Sequence, residues 1–492
     1  MAAFIALSTY INTALGFAVS VVIARSLGPH DYGQYAYLVW LSGFLVTIGN
    51  HGLSSCGIRF ISECHGRGDH EQARHVHHWL RKQQLLSVAI TALLFTASTY
   101  FVKPKGWEES TYLLVGVVLV SLLSKAIYIF DVSIAKGYKD FAVESWITIV
   151  MSVAYIGGAL VMAWVDADLS AYALFFGFLS LCYAFMSGYM LRRRGIVNQL
   201  QPLPPDLLAR IKNHLFWTVV LVVVVTLSNK TLETFLLSTE VGMAEVGYFS
   251  IAAALSRGGI ELLSSALNTM LMPMMGHAYG EGGLAKVNQI LSDSLRYFTF
   301  LGLLLAGLGT LWADAGVSIM YGDEYRAVVD VLRVMMLVGG LTLSEGVFGS
   351  LLTTTDNQKL RAQVSVGSVV ISAVAAFSLV PTYGLVGALV SYGITRISIV
   401  VLMAWTIRAN LRVTWPMSEL IAVFGAALLG GLLVGPLVWM FPGAWGQFAA
   451  GILYVLAYVW LTVKFKFWTA NDANQLQPII RRLPTPVRKL MS

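Results

Sequence analysis

Residues 111–131 read TYLLVGVVLVSLLSKAIYIFD, an apolar run interrupted by one basic side chain, Lys125, and ended by Asp131. At 1.5 Å per residue, about 20 helical residues cover the roughly 30 Å hydrocarbon core of a bilayer, so this stretch reads as a membrane span. The pattern recurs on both sides of it. Apolar runs at 4–24, 34–55, 83–102, 111–131, 145–164, 169–190, 215–237, 246–272, 297–320, 328–353, 362–381, 385–407, 418–441 and 445–463 give about fourteen candidate spans. With 57% hydrophobic and 12% charged residues and a mean hydropathy of +0.70, the chain has too little polar surface to solvate a globule of 492 residues. The expected fold is an all-α integral membrane bundle.

Charge in the intervening loops orients it. Seven loops, at 59–82, 132–144, 191–214, 273–296, 354–361, 408–417 and from 464 onward, carry 24 of the 33 Lys and Arg residues. The opposite loops carry Arg25, Lys103, Lys105 and Arg326. By the positive-inside bias both termini are expected in the cytoplasm. The segment from Met1 has no basic leader or cleavage site of a signal peptide and is read as the first span.

The chain also repeats itself. Gly28, Pro29 and Gly33 close the first hairpin, and Gly242 and Gly247 close the seventh, 214 residues on; Gly66 and Gly68 recur at the same offset as Gly280 and Gly282. The expected organisation is an N-lobe of six spans (1–190), a cytoplasmic linker (191–214), a C-lobe of six spans (215–407), two added spans (408–463) and a basic tail (464–492). Six spans per half make the repeats parallel, about an axis along the membrane normal, so the halves can rock around a central site by alternating access.

Ala24-Arg25-Ser26-Leu27-Gly28-Pro29-His30-Asp31-Tyr32-Gly33-Gln34-Tyr35, followed by Gly52-Leu53-Ser54-Ser55 and Arg59-Phe60-Ile61-Ser62-Glu63, resembles the amino-terminal signature of the polysaccharide-biosynthesis flippases. These belong to the multidrug/oligosaccharidyl-lipid/polysaccharide exporter superfamily. Val380-Pro381-Thr382-Tyr383-Gly384-Leu385-Val386-Gly387-Ala388 is similar to that family's eleventh-to-twelfth helix turn. Members often begin with a short basic cytoplasmic segment, whereas here the apolar run starts almost at Met1. The resemblance implies a flippase that moves a polyprenyl-diphosphate-linked oligosaccharide across the bacterial inner membrane for exopolysaccharide or O-antigen assembly. It implies contact with membrane lipids and with polysaccharide polymerase or export machinery.

Five cations lie inside the spans: Lys125, Lys230, Arg257, Arg333 and Arg396. A charge at mid-bilayer costs roughly 2.5–3.5 kcal/mol on insertion scales and normally faces a partner or a hydrated path. Against Glu233, Glu261 and Glu345 they leave two positive charges in excess, which a diphosphate would complement. Lys230 with Glu233, and Arg257 with Glu261, share a helix face and pair as readily as they bind substrate. Arg333 lies beside Asp330 near the outer interface. Arg396 has no acid within two turns of its own helix, and the nearest one to Lys125 is Asp131, about 9 Å along the axis. Those two are therefore the leading substrate contacts. Arg25 is either an outer gate or a helix anchor. Glu233, Glu261 and Glu345 are the acids able to couple transport to a proton or Na⁺. Ser8, Thr9, Tyr10, Asn12, Thr13, Thr226, Ser228 and Asn229 would line a sugar path or serve as ordinary helix contacts.

The sequence holds no GxxxxGK[ST] loop, so no built-in ATP motor is expected, and no catalytic residue is nominated. Cys56, Cys64 and Cys182 have no CxxC spacing. His65, His70, His75, His77 and His78 crowd one loop, but Glu71 to Lys82 reads as an amphipathic helix on the membrane surface rather than a metal site. The basic tail reads as lipid attraction, not nucleic-acid binding. The rivals are a lipid II flippase, an ion-coupled multidrug antiporter, which would want an acidic cavity, and a membrane glycan polymerase or ligase, which would want a large outer loop.

Overall fold

The apolar runs fold as helices, and the described residues contain no strand. The structure, a computed structural model, describes residues 2–101, 104, 105, 107, 111–227, 231–355, 357–411, 413–441, 443–469 and 472, with backbone alone at 2–9, 221, 225, 261–270 and 439. In chain order the helices are α1 (Ala2–Asn50), α2 (Leu53–Cys56), α3 (Ser62–Gly66), α4 (His70–Ser98), α5 (Thr111–Gly137), α6 (Ala142–Trp164), α7 (Leu169–Arg193) and α8 (Pro205–Leu227). They continue as α9 (Thr231–Leu236), α10 (Met243–Ser256), α11 (Leu262–Tyr321), α12 (Val328–Leu341), α13 (Glu345–Thr354), α14 (Gln358–Asn410), α15 (Met417–Met440) and α16 (Ala444–Lys464).

Among the described residues ten helical stretches are long and apolar enough to cross a membrane. Three of them break sharply, in α1 at Gly28, in α11 at Gly282 and Gly283, and in α14 at Gly384, and each half is a rod of its own. Adding α4 brings the described residues to fourteen rods, the number expected from the apolar runs. The break in α1 has a simple cause. Gly28 takes φ 72°, which a side chain disfavours, and Pro29 follows with its fixed φ and no N–H, as suits the first residue of a new helix.

Residues 71–82 are not a separate surface helix. They form the opening turns of α4, capped by Asp69, whose carboxylate accepts from the Gln72 N–H at 2.9 Å. Their inner face, Ala73, His75, Val76, His77 and Leu80, is buried against protein. Burial, aided by the neighbouring Arg81, pushes the His77 imidazole down to about 3, so it stays neutral in any physiological medium. Among the described residues no three His, Cys, Asp or Glu side chains gather as metal ligands would.

The chain divides into two compact units, Met1–Ile251 with Ser372–Ser391, and Ala252–Ile371 with Tyr392–Ser492. In the first, α1 packs on α5 and α6, and α5 on α7. A core of Leu53, Phe60, Leu80, Phe130, Ile134 and Ile147 gathers at one end. In the second, α11 packs on α12, α13, α15 and α16. Tyr454 and Tyr458 of α16 donate their hydroxyls to the Leu303 and Phe300 carbonyls at 3.0 and 2.9 Å. Below them Arg296, 3% exposed, donates to Asp293, Asp472 and the Phe467 carbonyl, clasping Phe467 and Asp472 onto α11.

One contact within the first unit joins two glycines that lie 214 residues apart in the sequence. A Cβ at Gly247 would lie 3.2 Å from the Gly33 Cα, and one at Gly33 would run into the Met243 carbonyl. Only glycine at both places lets the two backbones approach this closely.

Candidate functional site

Lys125 sits four turns into α5 with its ammonium 4.0 Å from the centre of the Phe176 ring on α7. Among the described residues it has no hydrogen bond and no ion pair. Asp131, the acid the sequence offers it, is used elsewhere. Only 2% exposed, Asp131 accepts from Arg81 of α4 and from the Ser187 hydroxyl at 2.7 Å. Arg81 in turn lies over the Phe130 ring and reaches Gln84, which bonds Asn50. The sequence places Arg81 in a loop; it is in fact the counter-charge that takes Asp131 away from Lys125.

A polar aromatic cluster surrounds Phe176. Tyr35 meets Phe176 and Tyr172 edge-on, with ring centres 6.2 and 6.4 Å away, and its hydroxyl is hydrogen-bonded to that of Tyr155. Nearby, the Tyr32 and Ser20 hydroxyls pair at 2.7 Å and the Ser152 hydroxyl donates to the Asn12 amide oxygen at 2.9 Å. A cation held by a ring face in the same lobe as these hydroxyl pairs suits an anion carrying sugar hydroxyls: the cation–π contact offsets part of its burial without neutralising it.

Arg396 has a different setting. Its Nη1 lies 3.1 Å from the Glu345 carboxylate, so the cation is paired, and the absence of an acid on its own helix is no guide to its charge state. Beside that pair is a polar cavity of about 210 Å³ lined by Glu345, Gly349, Thr353, Arg361 and Met403. The Arg361 guanidinium donates to the Thr353 hydroxyl at 3.1 Å. In the sequence Arg361 only closes a short basic loop, which shows nothing of its reach to Thr353.

The other nominated residues scatter. Arg333 pairs with Asp330 at 3.0 Å, as their spacing suggests, and is more than a third exposed. Arg257 is exposed on a π-helical turn and Arg25 is exposed near the end of the first rod. Glu233 is 1% exposed and accepts from the Ser391 hydroxyl at 2.7 Å. Lys230, Ser228, Asn229 and the Glu261, Ser8 and Thr9 side chains lie outside the described residues, as does the tail from 473. Two apolar cavities lie elsewhere in the molecule. One, of about 540 Å³, is lined in the first unit by Tyr37, Trp40, Phe44, Phe95, Trp107 and Phe235. Another, of about 430 Å³, lies among α11, α15 and α16 in the second.

A family profile described as "Polysaccharide biosynthesis protein" matches residues 2–278, more than half of the chain. The chain belongs to this family. Its fold is shared with solved transporters at low identity. The lipid II flippase MurJ in an inward closed conformation superposes with a TM-score of 0.72 at 14% identity, covering 97% of this chain and 99% of that one. An inward-facing multidrug resistance MATE family transporter of the MOP superfamily gives 0.66 at 16%, covering 81% and 94%. A MOP superfamily transporter from Pyrococcus furiosus, titled for the reverse polarity of its binding pocket, gives 0.55 at 15%, covering 82% and 93%. No curated protein matches the chain in sequence. This member of the polysaccharide biosynthesis family is thus a multi-pass membrane protein with the fold of flippases and transporters, not of enzymes.

Proposed function

We propose that the chain flips a polyprenyl-diphosphate-linked oligosaccharide repeat unit across the bacterial inner membrane, for exopolysaccharide or O-antigen assembly, with both termini in the cytoplasm. The observation that carries this reading is Lys125, an ammonium within a membrane span that has a ring face and, among the described residues, no carboxylate beside it. An anion that binds there neutralises the charge, and the tyrosine hydroxyls around Phe176 give a glycan its hydrogen bonds. The apolar cavities match the needs of a polyprenyl chain, which has to stay out of water while the head group crosses.

Halves of six rods, 1–190 and 215–407, rock around the head group in this reading, and Arg25, Lys230, Arg257, Arg333 and Arg396 are the further cations offered to it. Glu233, Glu261 and Glu345 are the acids that couple the motion to a proton or Na⁺; a potential negative inside drives an anion outward as well. Polysaccharide polymerase or export machinery receives the product.

The test is a flipping assay in proteoliposomes. A polyprenyl-diphosphate-linked oligosaccharide carrying a fluorescent sugar is expected to become accessible to an externally added dithionite quencher at a rate above that of empty vesicles. The same rate for lipid II alone would establish the second reading, which is favoured by the near-complete superposition on the lipid II flippase fold. Uptake of a cationic dye and no glycolipid would overturn both.

A further inference from the structure

A second basic feature lies away from Lys125, where α7 ends and α6 begins. Down one face of α7 run Phe178, Leu181, Phe185 and Tyr189, spaced three or four apart, all more than half exposed, and the next residue on that face is Arg193. On α6, packed beside it, Trp146, Val150 and Val153 form a parallel exposed stripe. Between the stripes, at their shared end, is a cavity of about 500 Å³ lined by Trp146, Val150, Tyr189, Arg193 and Arg194.

The local charges are unbalanced in favour of an anion. Lys136 and Glu144 neutralise each other at 2.8 Å, and Asp140 is 3.4 Å from Arg194. Arg193 makes no hydrogen bond or ion pair among the described residues. Because both helices have their ends here, the cavity sits at headgroup depth, with Trp146 and Tyr189 as interfacial aromatics. The two apolar stripes run from it toward the bilayer centre.

We propose that this cavity is a binding site for an anionic phospholipid, its phosphate held by Arg193 and Arg194 and its acyl chains laid along the two exposed stripes. The shape excludes a soluble phosphate as the natural occupant: guanidiniums alone would hold an ion, but the stripes that continue from them are apolar and face lipid. The site stands apart from transport and holds whether or not the glycan reading is correct.

Native mass spectrometry of the full chain, released from micelles doped with phosphatidylglycerol or with phosphatidylethanolamine, tests it. Preferential retention of one phosphatidylglycerol is expected. Arg193→Gln should weaken it roughly fivefold, and Arg193→Gln with Arg194→Gln roughly twenty-five-fold, about 1 kcal/mol per guanidinium. A control pair, Lys139→Gln with Arg192→Gln, removes the same charge from the same end without touching the cavity and should change retention less than twofold. Arg193 makes no hydrogen bond or ion pair among the described residues, so the single variant should run as a monodisperse, folded protein even if the double one does not. Equal loss in the control pair, equal retention of both lipids, or displacement by a polyprenyl diphosphate present at a tenth of the phosphatidylglycerol would each overturn the proposal.

Discussion

Two cations that look alike in the sequence have opposite physical standing. Among the described residues Lys125 has a ring and no carboxylate, whereas Arg396 has Glu345. Removing Lys125 therefore breaks no ion pair. Lys125→Ala should leave the melting temperature of the purified protein unchanged or slightly higher, and should slow flipping about ten- to a hundredfold, the worth of one charged hydrogen bond to substrate. Insertion-competent protein with an undiminished rate would remove Lys125 from the site. Glu345→Gln should instead cost about 1–2 kcal/mol, between the values for exposed and buried pairs, because both partners are about a quarter exposed and the Arg396 charge loses its carboxylate. Adding Arg396→Gln should restore much of that loss in a thermal unfolding experiment. A double variant less stable than either single one would show that the pair is not the reason.

Among elements, the segment entering α8 is tied back to α3 by charge. Arg210 of α8 holds the Glu63 carboxylate with two hydrogen bonds of 3.1 Å, and that guanidinium, with Arg67 and Arg59 adding to it, keeps Glu63 below its ordinary value of 4.5. A carboxylate lowered in the folded state stabilises it fully above 4.5 and loses that stabilisation as the pH falls through the lowered value. Protease cleavage within 194–204 should therefore be constant from pH 7 to pH 5 and rise below about 4.5, with Glu63→Gln showing the raised level at every pH.

This contact and that of Arg396 also mark the limit of sequence reading. Runs of apolar residues display a helix directly, so the rods were legible, and Lys125 was legible because α5 holds it whatever else surrounds it. Arg333 and Asp330 were legible because they are one turn apart. The partners of Arg396 and Asp131, and the Arg210 that grips Glu63, come from other helices, and helical spacing carries no information about those. Residues 71–82 misled for a related reason: their polar and apolar faces fit a membrane surface as well as they fit the protein interior that buries Val76 and Leu80.

For the molecule as a whole, the close approach of Gly33 and Gly247 bears on folding more than any polar group near it. Gly33→Ala would push a methyl into the Met243 carbonyl and should lower the melting temperature and the yield of monodisperse protein. Gly16→Ala is the control, since a Cβ there meets nothing within 4 Å and the helix gains a better former, worth about 0.4–1 kcal/mol. Equal behaviour of the two variants would show that the backbones separate readily.

The clasp at Arg296 has a consequence in time. Arg296 leaves the ribosome 176 residues ahead of Asp472, the carboxylate that buries with it. At five to twenty residues per second, roughly ten to thirty-five seconds of synthesis separate the two. Throughout that interval the guanidinium has Asp293 but neither Asp472 nor the Phe467 carbonyl. Closure waits for the last rod, α16, so a chain that stops before Phe467 lacks the clasp and leaves that guanidinium short of two of its three partners.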